Sequence, residues 1–247
     1  MKISVVMPVY NERRHIGEIL RRVQSVRLEG AELEIIVVDD GSTDGTREFL
    51  MELAKEAGGT DNPEPPAAGR PPGSSLTVIL QEKNQGKGAA LRRGFGEAAG
   101  DILLIQDADL EYDPGDYPKL LEPIQAGVAD VVYGSRFLGG PQGFSCFGQY
   151  VGNKISTTLS NIFSNLRLTD METCYKVFRR HVLNGLEIQQ NRFGFEPEIT
   201  AKFAKKGVRI HEVPISYRGR THSEGKKMSW TDGLKAVYCI VRYSLFR

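Results

Sequence analysis

Short apolar runs typical of buried strands alternate with amphipathic helical segments through the first half of this 247-residue chain. The runs lie at residues 3–10, 33–38, 76–80 and 102–105. After the first run, Ile16, Ile19, Leu20 and Val23 recur at helical spacing with charged residues between them. Strand and helix in alternation build right-handed crossover units. The sequence therefore predicts an α/β fold, in which a mostly parallel central sheet is flanked by helices.

The second half extends this pattern to one Rossmann-like domain over residues 1–247. Helices are predicted near 116–125 and 155–166, strands at 130–133 and 208–217, and a last amphipathic helix around Leu234, Val237, Tyr238 and Val241. Residues 58–75 are rich in Pro and Gly, and we predict a flexible surface insertion there. The helices within 145–166 and 230–247 are candidates for contact with a membrane surface or with a second copy of the chain.

Composition argues against several broad classes of function. The 32 basic and 31 acidic residues give a net charge of +1, which argues against a general nucleic-acid binder. Three widely spaced cysteines without a CxxC pair, and four histidines without HxH or HExxH spacing, predict neither a disulfide framework nor a zinc site. Neither a secretory signal nor a run of about 18 apolar residues is visible. We therefore expect a cytoplasmic protein, with peripheral attachment to the cytoplasmic face of a membrane left open.

Two carboxylates follow the predicted strand at 102–105. Asp107 and Asp109 are one residue apart, so they would point the same way if the strand geometry continued. Mg²⁺ and Mn²⁺ prefer oxygen ligands, and Mg²⁺ usually binds through one or two carboxylates together with substrate phosphates. The pair therefore indicates a metal–diphosphate site, although such a pair taken alone is more often a solvated turn.

Polar motifs also fall at the ends of three other predicted strands, at residues 8–12, 39–42 and 134–136. Any one of them could be a helix cap, and we expect Ser42 or Asp44 to be one. In an open α/β sheet, however, ligands collect beyond the carboxyl ends of the strands. Four coincident motifs therefore favour one shared ligand site.

These motifs resemble those of family 2 glycosyltransferases of the GT-A fold. The matching segments are VVMPVYNE (5–12), VVDDGSTDGT (37–46), NQGKGAAL (84–91) and DAD (107–109). Four later segments narrow the resemblance to the branch that contains dolichol-phosphate mannose and glucose synthases: GSR (134–136), DMETCYKVFRR (170–180), FGFEPEI (193–199) and VPISYRGR (213–220). The resemblance covers nearly the whole chain. It implies inverting, metal-dependent transfer of a hexose from a nucleotide sugar of the GDP-mannose or UDP-glucose type to a polyprenyl or dolichyl phosphate.

The resemblance also implies which residues bind the nucleotide-sugar donor and the cation. Asp109 would be the main ligand of Mg²⁺ or Mn²⁺, with Glu111 and Asp107 as further ligands, and Asp107 would also lie against the sugar or ribose. A cation there would stabilise the charge that develops on the diphosphate leaving group. Lys87 could add positive charge near the donor, although a Lys in a Gly-rich turn is as often only exposed. The residues implied for the donor are Pro8, Tyr10, Glu12, Asp39, Asp40, Gln85, Lys87, Asp107 and Ala108.

A phosphate acceptor is already ionised at neutral pH, so it needs cations more than a base. Arg136 is the best candidate, because it follows a strand facing the same crevice and Arg binds phosphate in a bidentate manner. The weaker candidates, since surface cations are usually only solvated, are Lys154, Arg218, Arg220, Lys226 and Lys227. Glu198 matches an acidic family position near the acceptor. It would be the general base for a hydroxyl acceptor, or else a charge at a helix N-terminus.

Three other functions stay open at this point. The same donor site could serve a sugar hydroxyl acceptor in glycan or polysaccharide synthesis. A sugar-nucleotide pyrophosphorylase should have a Gly-rich phosphate loop after its first strand, where this chain has Pro-Val-Tyr-Asn-Glu, so this function ranks low. A non-catalytic nucleotide-binding protein would bind the donor without turnover, and it also ranks low.

Overall fold

The computed structural model describes residues 1–58, 75–139, 147–220 and 230–246. Residues 59–74 of the predicted insertion lie outside these ranges, as do residues 145–146 and the acceptor candidates Lys226 and Lys227.

Seven strands form one mostly parallel sheet, as predicted. They are β1 (Lys2–Val9), β2 (Glu32–Asp39), β3 (Ser75–Leu80), β4 (Ile102–Ile105), β5 (Val131–Ser135), β6 (Lys176–Arg179) and β7 (Ile210–Pro214). Their order across the sheet is β3-β2-β1-β4-β6-β5-β7. β6 runs antiparallel to β4 and to β5, whereas the other described strand pairs are parallel.

Helices cover both faces of this sheet. They are α1 (Ile16–Ser25), α2 (Thr46–Gly58), α3 (Lys87–Glu97), α4 (Tyr117–Gln125), α5 (Phe147–Ser164), α6 (Phe195–Lys206) and α7 (Trp230–Leu245). Short 3₁₀ turns lie at Pro114–Asp116 and Arg180–Leu183.

The sheet separates two hydrophobic cores. Val5 of β1 packs into the first core with residues of α1, α2 and α4, whereas its neighbour Val6 packs into the second with residues of α3, α6 and α7. Successive residues of a strand point to opposite faces, so a strand covered on both sides reads as a continuous apolar run. This explains why the apolar runs in the first half of the sequence located β1 to β4.

The strand β6 was not predicted. It has four residues and inserts between β4 and β5, which come from earlier parts of the chain. Val177 packs into the first core and Phe178 into the second. The equally short β4 is wholly apolar, whereas β6 begins with Lys176 and ends with Arg179, so its sequence contains no apolar run, and its antiparallel position depends on the tertiary fold.

The helices α5 and α7 lie side by side and leave several large apolar residues exposed. Ala236, Cys239, Ile240 and Tyr243 of α7 are buried. Exposed residues are Ile155 and Ile162 of α5, and Leu234, Tyr238 and Leu245 of α7. Among the described residues, none of the helices has both the length and the apolar character needed to cross a membrane.

Candidate active site

The fold brings the segments after β1, β2 and β4 together, because β1 lies between the other two strands. Hydrogen bonds tie the first two of these segments. The Asn11 N–H donates to Ser42 Oγ (2.9 Å), and the Thr43 N–H donates to Asn11 Oδ1 (2.8 Å). The Glu12 N–H donates to Thr46 Oγ1 (3.0 Å). The polar motifs at these strand ends therefore form one connected edge of the sheet.

Asp39 and Asp40 at the end of β2 are both buried and hold neighbouring segments. Asp40 accepts hydrogen bonds from the backbone N–H groups of Gln85 (2.8 Å) and Gly86 (2.7 Å), and Asp39 accepts one from Arg47 Nη1 (3.1 Å). Burial raises the pKa of Asp40, although the two N–H groups oppose this shift. Both carboxylates thus fix the loop before α3 and the start of α2, and their contact with a base or ribose stays a prediction.

Lys87, at the start of α3, is a largely buried positive charge, its side chain 12% exposed, and not an exposed residue of a Gly-rich turn. Its Nζ lies 3.0 Å from a carboxylate oxygen of Asp107, 3.0 Å from one of Glu196, and 2.9 Å from Cys174 Sγ. Burial alone would lower the pKa of Lys87, but the surrounding negative charge, led by Asp107, holds it well above its usual range. Lys87 therefore neutralises Asp107 inside the site.

A buried glutamine fixes the chain just before the two predicted aspartates. Gln106 Oε1 accepts hydrogen bonds from the hydroxyls of Tyr117 (2.8 Å) and Tyr175 (2.7 Å). Its Nε2 donates to the carbonyl oxygen of Asp107 (3.0 Å). Both tyrosines are fully buried, so these hydrogen bonds hold the backbone at the end of β4 in place.

The two aspartates take different partners, contrary to the expectation from strand alternation. β4 ends at Ile105, so its alternation does not extend to Asp107 or Asp109. Asp107 pairs with Lys87, whereas Asp109 Oδ2 lies 3.0 Å from Arg220 Nη2.

Arg220, which follows β7, lies among three carboxylates. Besides Asp109, its guanidinium contacts Glu12 Oε2 (Nη1, 3.1 Å) and Glu111 Oε1 (Nε, 3.6 Å). Glu111 also accepts hydrogen bonds from the backbone N–H of Arg220 (2.7 Å) and from the hydroxyl of Tyr217 (2.9 Å). Glu111 therefore holds the segment 217–220 against the loop after β4.

The surroundings of Asp109 suit a divalent cation. Burial and the negative charges of Asp107 and Glu111 raise the pKa of Asp109 to about 7, although Arg220 lowers it. Such a shift marks a place where added positive charge is favourable. A Mg²⁺ or Mn²⁺ ion would take Asp109 as its protein ligand and complete its shell with phosphate oxygens and water, the mode that Mg²⁺ prefers.

The predicted ligands Asp107, Asp109 and Glu111 have different partners in this structure, and their binding of a metal ion stays a prediction. Within the described part of the chain, no three His, Cys, Asp or Glu side chains are grouped closely enough to hold a metal ion. Asp107 is neutralised by Lys87, and Glu111 is used to hold the segment 217–220.

Arg136, which follows β5, is held by a buried aspartate. Its Nε and Nη2 lie 2.7 and 2.8 Å from the two carboxylate oxygens of Asp170, which also accepts the Arg136 backbone N–H (3.0 Å). The Arg136 guanidinium carbon lies 5.1 Å from the ring centroid of Tyr217, whose hydroxyl donates to Glu111. Tyr217 thus joins the predicted acceptor arginine to the carboxylates around Asp109.

Lys154 of α5 shares the neighbourhood of Arg136. Its Nζ lies 3.4 Å from the carbonyl oxygen of Thr169, next to the aspartate that holds Arg136. It also lies 4.0 Å from the ring centroid of Phe137, which follows Arg136. Arg218, in contrast, is exposed. Of the predicted acceptor cations within the described ranges, the structure brings Arg136 and Lys154 together.

Comparison with protein-family models gives a match over residues 4–186, more than half of the chain, to the model described as Glycosyl transferase family 2. The chain belongs to this family. The family resemblance read from the sequence motifs is thereby confirmed.

Two relatives of this family 2 glycosyltransferase are named for transfer involving polyprenyl phosphates. It is 31% identical over 248 residues to a dolichol-phosphate mannosyltransferase of Pyrococcus furiosus, covering 98% of this chain and 64% of that protein. It is 30% identical over 226 residues to an undecaprenyl-phosphate 4-deoxy-4-formamido-L-arabinose transferase of Enterobacter sp., covering 91% of this chain and 62% of that protein. The chain therefore spans less than two thirds of the length of these relatives.

Solved structures share the fold. A crystal structure of glucosyl-3-phosphoglycerate synthase from Mycobacterium tuberculosis with Mn²⁺, UDP and phosphoglyceric acid matches with a TM-score of 0.69 at 19% identity, covering 100% of this chain and 79% of that one. The same enzyme with Mg²⁺ and UDP matches with a TM-score of 0.70 at 18% identity, covering 100% of this chain and 80% of that one. The predicted GT-A fold of the glycosyltransferase is thus confirmed.

Glu198 does not have the environment expected of a general base. It is fully buried, and its carboxylate accepts the backbone N–H groups of Gln189 (2.7 Å) and Gln190 (2.7 Å). These bonds hold the preceding loop to the first turn of α6, and a catalytic role for Glu198 stays a prediction.

Residues two apart lie on nearly opposite sides of a helix. Glu196 is therefore the acidic residue of this turn that reaches the site.

Sequence analysis missed Asp170, Glu196 and Tyr217 as parts of the site, and it considered Arg220 only as a weaker acceptor cation and not as a partner of Asp109. All four lie in the segments that carried the family resemblance. Their partners are distant in sequence: Asp170 is 34 residues from Arg136, and Arg220 is 111 residues from Asp109. The sequence did offer one indication of their role, because charged residues are frequent in these motif segments, which are otherwise apolar.

Glu172 provides a pH-dependent test of this polar interior. Burial, together with the negative charge of Glu196, raises the pKa of Glu172 from 4.5 to about 7. The folded state therefore holds the proton more tightly than the unfolded chain, and the resulting stability is lost as the pH rises from about 4.5 to about 7. Glu172→Gln removes this titration. We expect the free energy of unfolding of this variant, relative to that of the wild type, to increase as the pH rises through this window. Above the window the difference should stay constant.

Urea unfolding at intervals between pH 4.5 and pH 8 measures this difference. The matched control is Glu187→Gln, which changes an exposed glutamate in the loop before α6. A difference between Glu172→Gln and the wild type that stays flat with pH would contradict the prediction.

Proposed function

We propose that this glycosyltransferase transfers a hexose, with inversion and with Mg²⁺ or Mn²⁺, from a nucleotide sugar of the GDP-mannose or UDP-glucose type to a polyprenyl or dolichyl phosphate. The observation that carries the proposal is the pair of charged groups on either side of Tyr217. The carboxylates around Asp109 lie on one side, and Arg136 with Lys154 lies on the other. The names of the two relatives support a polyprenyl-phosphate acceptor.

On the donor side, fixed charges would hold the nucleotide sugar. Asp107 pairs with Lys87, and its carboxylate could accept hydrogen bonds from hydroxyls of the sugar or ribose. When bound at Asp109, the divalent cation would neutralise the charge that develops on the diphosphate leaving group. Crystal structures of the M. tuberculosis neighbour with Mn²⁺ and UDP-glucose are consistent with a cation-dependent donor.

On the acceptor side, Arg136 is oriented by Asp170 before any ligand binds. An arginine whose fork is already fixed loses little freedom on binding phosphate, and Lys154 adds a second positive charge. A phosphate oxygen needs no deprotonation, so this reaction requires no general base. A hydroxyl acceptor would require one, and the buried, fully engaged Glu198 gives that alternative less support.

A radiolabelled transfer assay tests the proposal directly. GDP-mannose, UDP-glucose and UDP-GlcNAc are each incubated with purified polyprenyl phosphate, with Mg²⁺ or Mn²⁺ and with chelator. We expect cation-dependent label in the organic phase from one donor, and nearly complete loss of it in a folded Asp109→Asn variant. Label found only in water-soluble products would refute the lipid-phosphate acceptor while leaving the donor site standing.

Arg136→Lys tests the acceptor role separately from the donor role. Lysine keeps the positive charge but loses the bidentate fork. We expect kcat/KM for the polyprenyl phosphate to fall about 10- to 100-fold, corresponding to the loss of one charged hydrogen bond of about 1.5–3 kcal/mol. Nucleotide binding, measured by calorimetry, should stay unchanged. The control is Arg209→Lys, whose arginine pairs with Asp130 at the opposite end of the sheet.

A membrane surface would supply such an acceptor, and the exposed apolar residues of α5 and α7 support that contact. We call these residues, Ile155, Ile162, Leu234, Tyr238 and Leu245, the α5–α7 face. In α7, Leu234 and Tyr238 are one turn apart and lie on one side of the helix. Lys154 immediately precedes Ile155, so the acceptor cations adjoin this face. The sequence of α5 contains no Asp or Glu, and α7 adds Lys235 and Arg242, which favours an anionic lipid surface.

Flotation with vesicles of phosphatidylcholine and phosphatidylglycerol measures this contact. We expect the double variant Ile162→Ser, Leu234→Ser to lower the bound fraction about tenfold or more, since each change removes a large apolar side chain from the contact. The control Val128→Ser alters a residue that is 59% exposed and lies after α4, away from the α5–α7 face. Unchanged flotation, accompanied by loss of a dimer in sedimentation, would show that the face binds a second copy instead.

A further inference from the structure

Arg220 occupies the place where the cation and the protein would meet. Its guanidinium contacts Asp109 Oδ2 at 3.0 Å, the other Asp109 oxygen accepts the Glu111 N–H (3.1 Å), and Glu12 lies 3.1 Å from Arg220 Nη1. The Arg220 side chain is only 14% exposed, and those of Asp109 and Glu12 are 17% and 7% exposed. Water therefore screens these charges poorly.

A divalent cation at Asp109 would compete with this arginine. A cation bound to Asp109 would lie within a few ångströms of the guanidinium, because Oδ2 is already in contact with Nη2 and the other oxygen is engaged by a backbone N–H. Two positive groups that close in a partly buried site repel each other strongly. Either the Arg220–Asp109 ion pair opens when the cation binds, or the cation binds weakly.

The backbone around Arg220 allows the side chain to leave without unfolding the segment. The Arg220 N–H donates to Glu111 Oε1 (2.7 Å), and the Arg218 N–H donates to the Glu111 carbonyl oxygen (2.9 Å). Upstream, the Ser216 N–H donates to Asp116 Oδ2 (2.6 Å). None of these bonds involves the guanidinium, so all three can stay in place when the side chain rotates away from Asp109.

We propose that Arg220 is an exchangeable internal counter-ion of the cation site. Its guanidinium neutralises Glu12 and Asp109, and the divalent cation must displace it from Asp109 in order to bind. Arg220 therefore sets the affinity of the protein for the cation. This inference rests on the cation-dependent part of the proposed function.

Titration with Mn²⁺, followed by electron paramagnetic resonance of the free ion, tests the exchange without any assay of activity. We expect Arg220→Gln to bind Mn²⁺ about tenfold more tightly than the wild type, because the carboxylates no longer have to give up their own counter-ion. Arg220→Lys keeps a charge that cannot contact Glu12 and Asp109 together in the same way, and should give an intermediate affinity. If circular dichroism shows that Arg220→Gln does not fold, Arg220→Lys provides the test instead.

The matched control is Arg218→Gln, which removes the same charge from the same segment. Arg218 is exposed and lines the same cleft as Asp109 and Glu111, and none of the contacts found in the described residues joins its guanidinium to these carboxylates. Mn²⁺ affinity should change less than twofold in this variant. An equal increase in Mn²⁺ affinity in both variants would mean that the loss of any nearby positive charge raises the affinity, whether or not that charge contacts Asp109. This result would overturn the proposal.

Two further outcomes separate this inference from the proposed function. Unchanged or weaker Mn²⁺ binding in Arg220→Gln, with transfer by the wild type intact, overturns the exchange alone, since Arg220 would then only support the site. Tighter Mn²⁺ binding in Arg220→Gln, with no transfer of label to lipid by the wild type, supports the exchange and refutes the polyprenyl-phosphate acceptor.

Discussion

Acidic side chains removed from water at the carboxyl edge of the sheet are held by positive side chains or, for Asp40, by backbone N–H groups. An ionised carboxylate removed from water without a partner costs several kcal/mol, and removal of one member of a buried pair is strongly destabilising. Three of the ion pairs at this edge are Asp107 with Lys87, Asp109 with Arg220, and Asp170 with Arg136. Each pair joins segments distant in the sequence, so the edge is complete only when α3, the loop after β4 and the segment after β7 are all in place.

This pairing also determines how a charged ligand can bind at this edge. A charged ligand finds side chains that already have partners, so its binding is an exchange of one partner for another. The three pairs differ in this respect. Asp170 is fully buried and holds Arg136 by its side chain and its backbone, so that arginine is a fixed group. Arg220 shares its charge among several acidic groups, and its backbone is anchored independently.

Tyr217 makes the two halves of the site one unit. The Arg136 guanidinium lies over its ring, and its hydroxyl donates to Glu111, whose carboxylate also accepts the backbone N–H of Arg220. The Tyr112 ring packs 5.3 Å from the Tyr217 ring, and the Tyr112 hydroxyl accepts the Cys174 N–H. Because this chain of contacts is packed and hydrogen-bonded throughout, the distance between the candidate donor and acceptor groups is fixed by the fold.

The sequence alone determined the sheet's parallel half, because strands buried on both faces read as apolar runs, and it located the polar ends of those strands. It also identified the family from motifs that lie at those ends. It did not determine β6, whose four residues gain their place only between two earlier strands. Nor did it distinguish Glu196 from Glu198, because the direction of a helical side chain depends on where the helix docks. The partners of Asp107 and Asp109 were likewise decided by the tertiary structure alone, since Lys87 and Arg220 lie 20 and 111 residues away along the chain and meet them only at the folded edge.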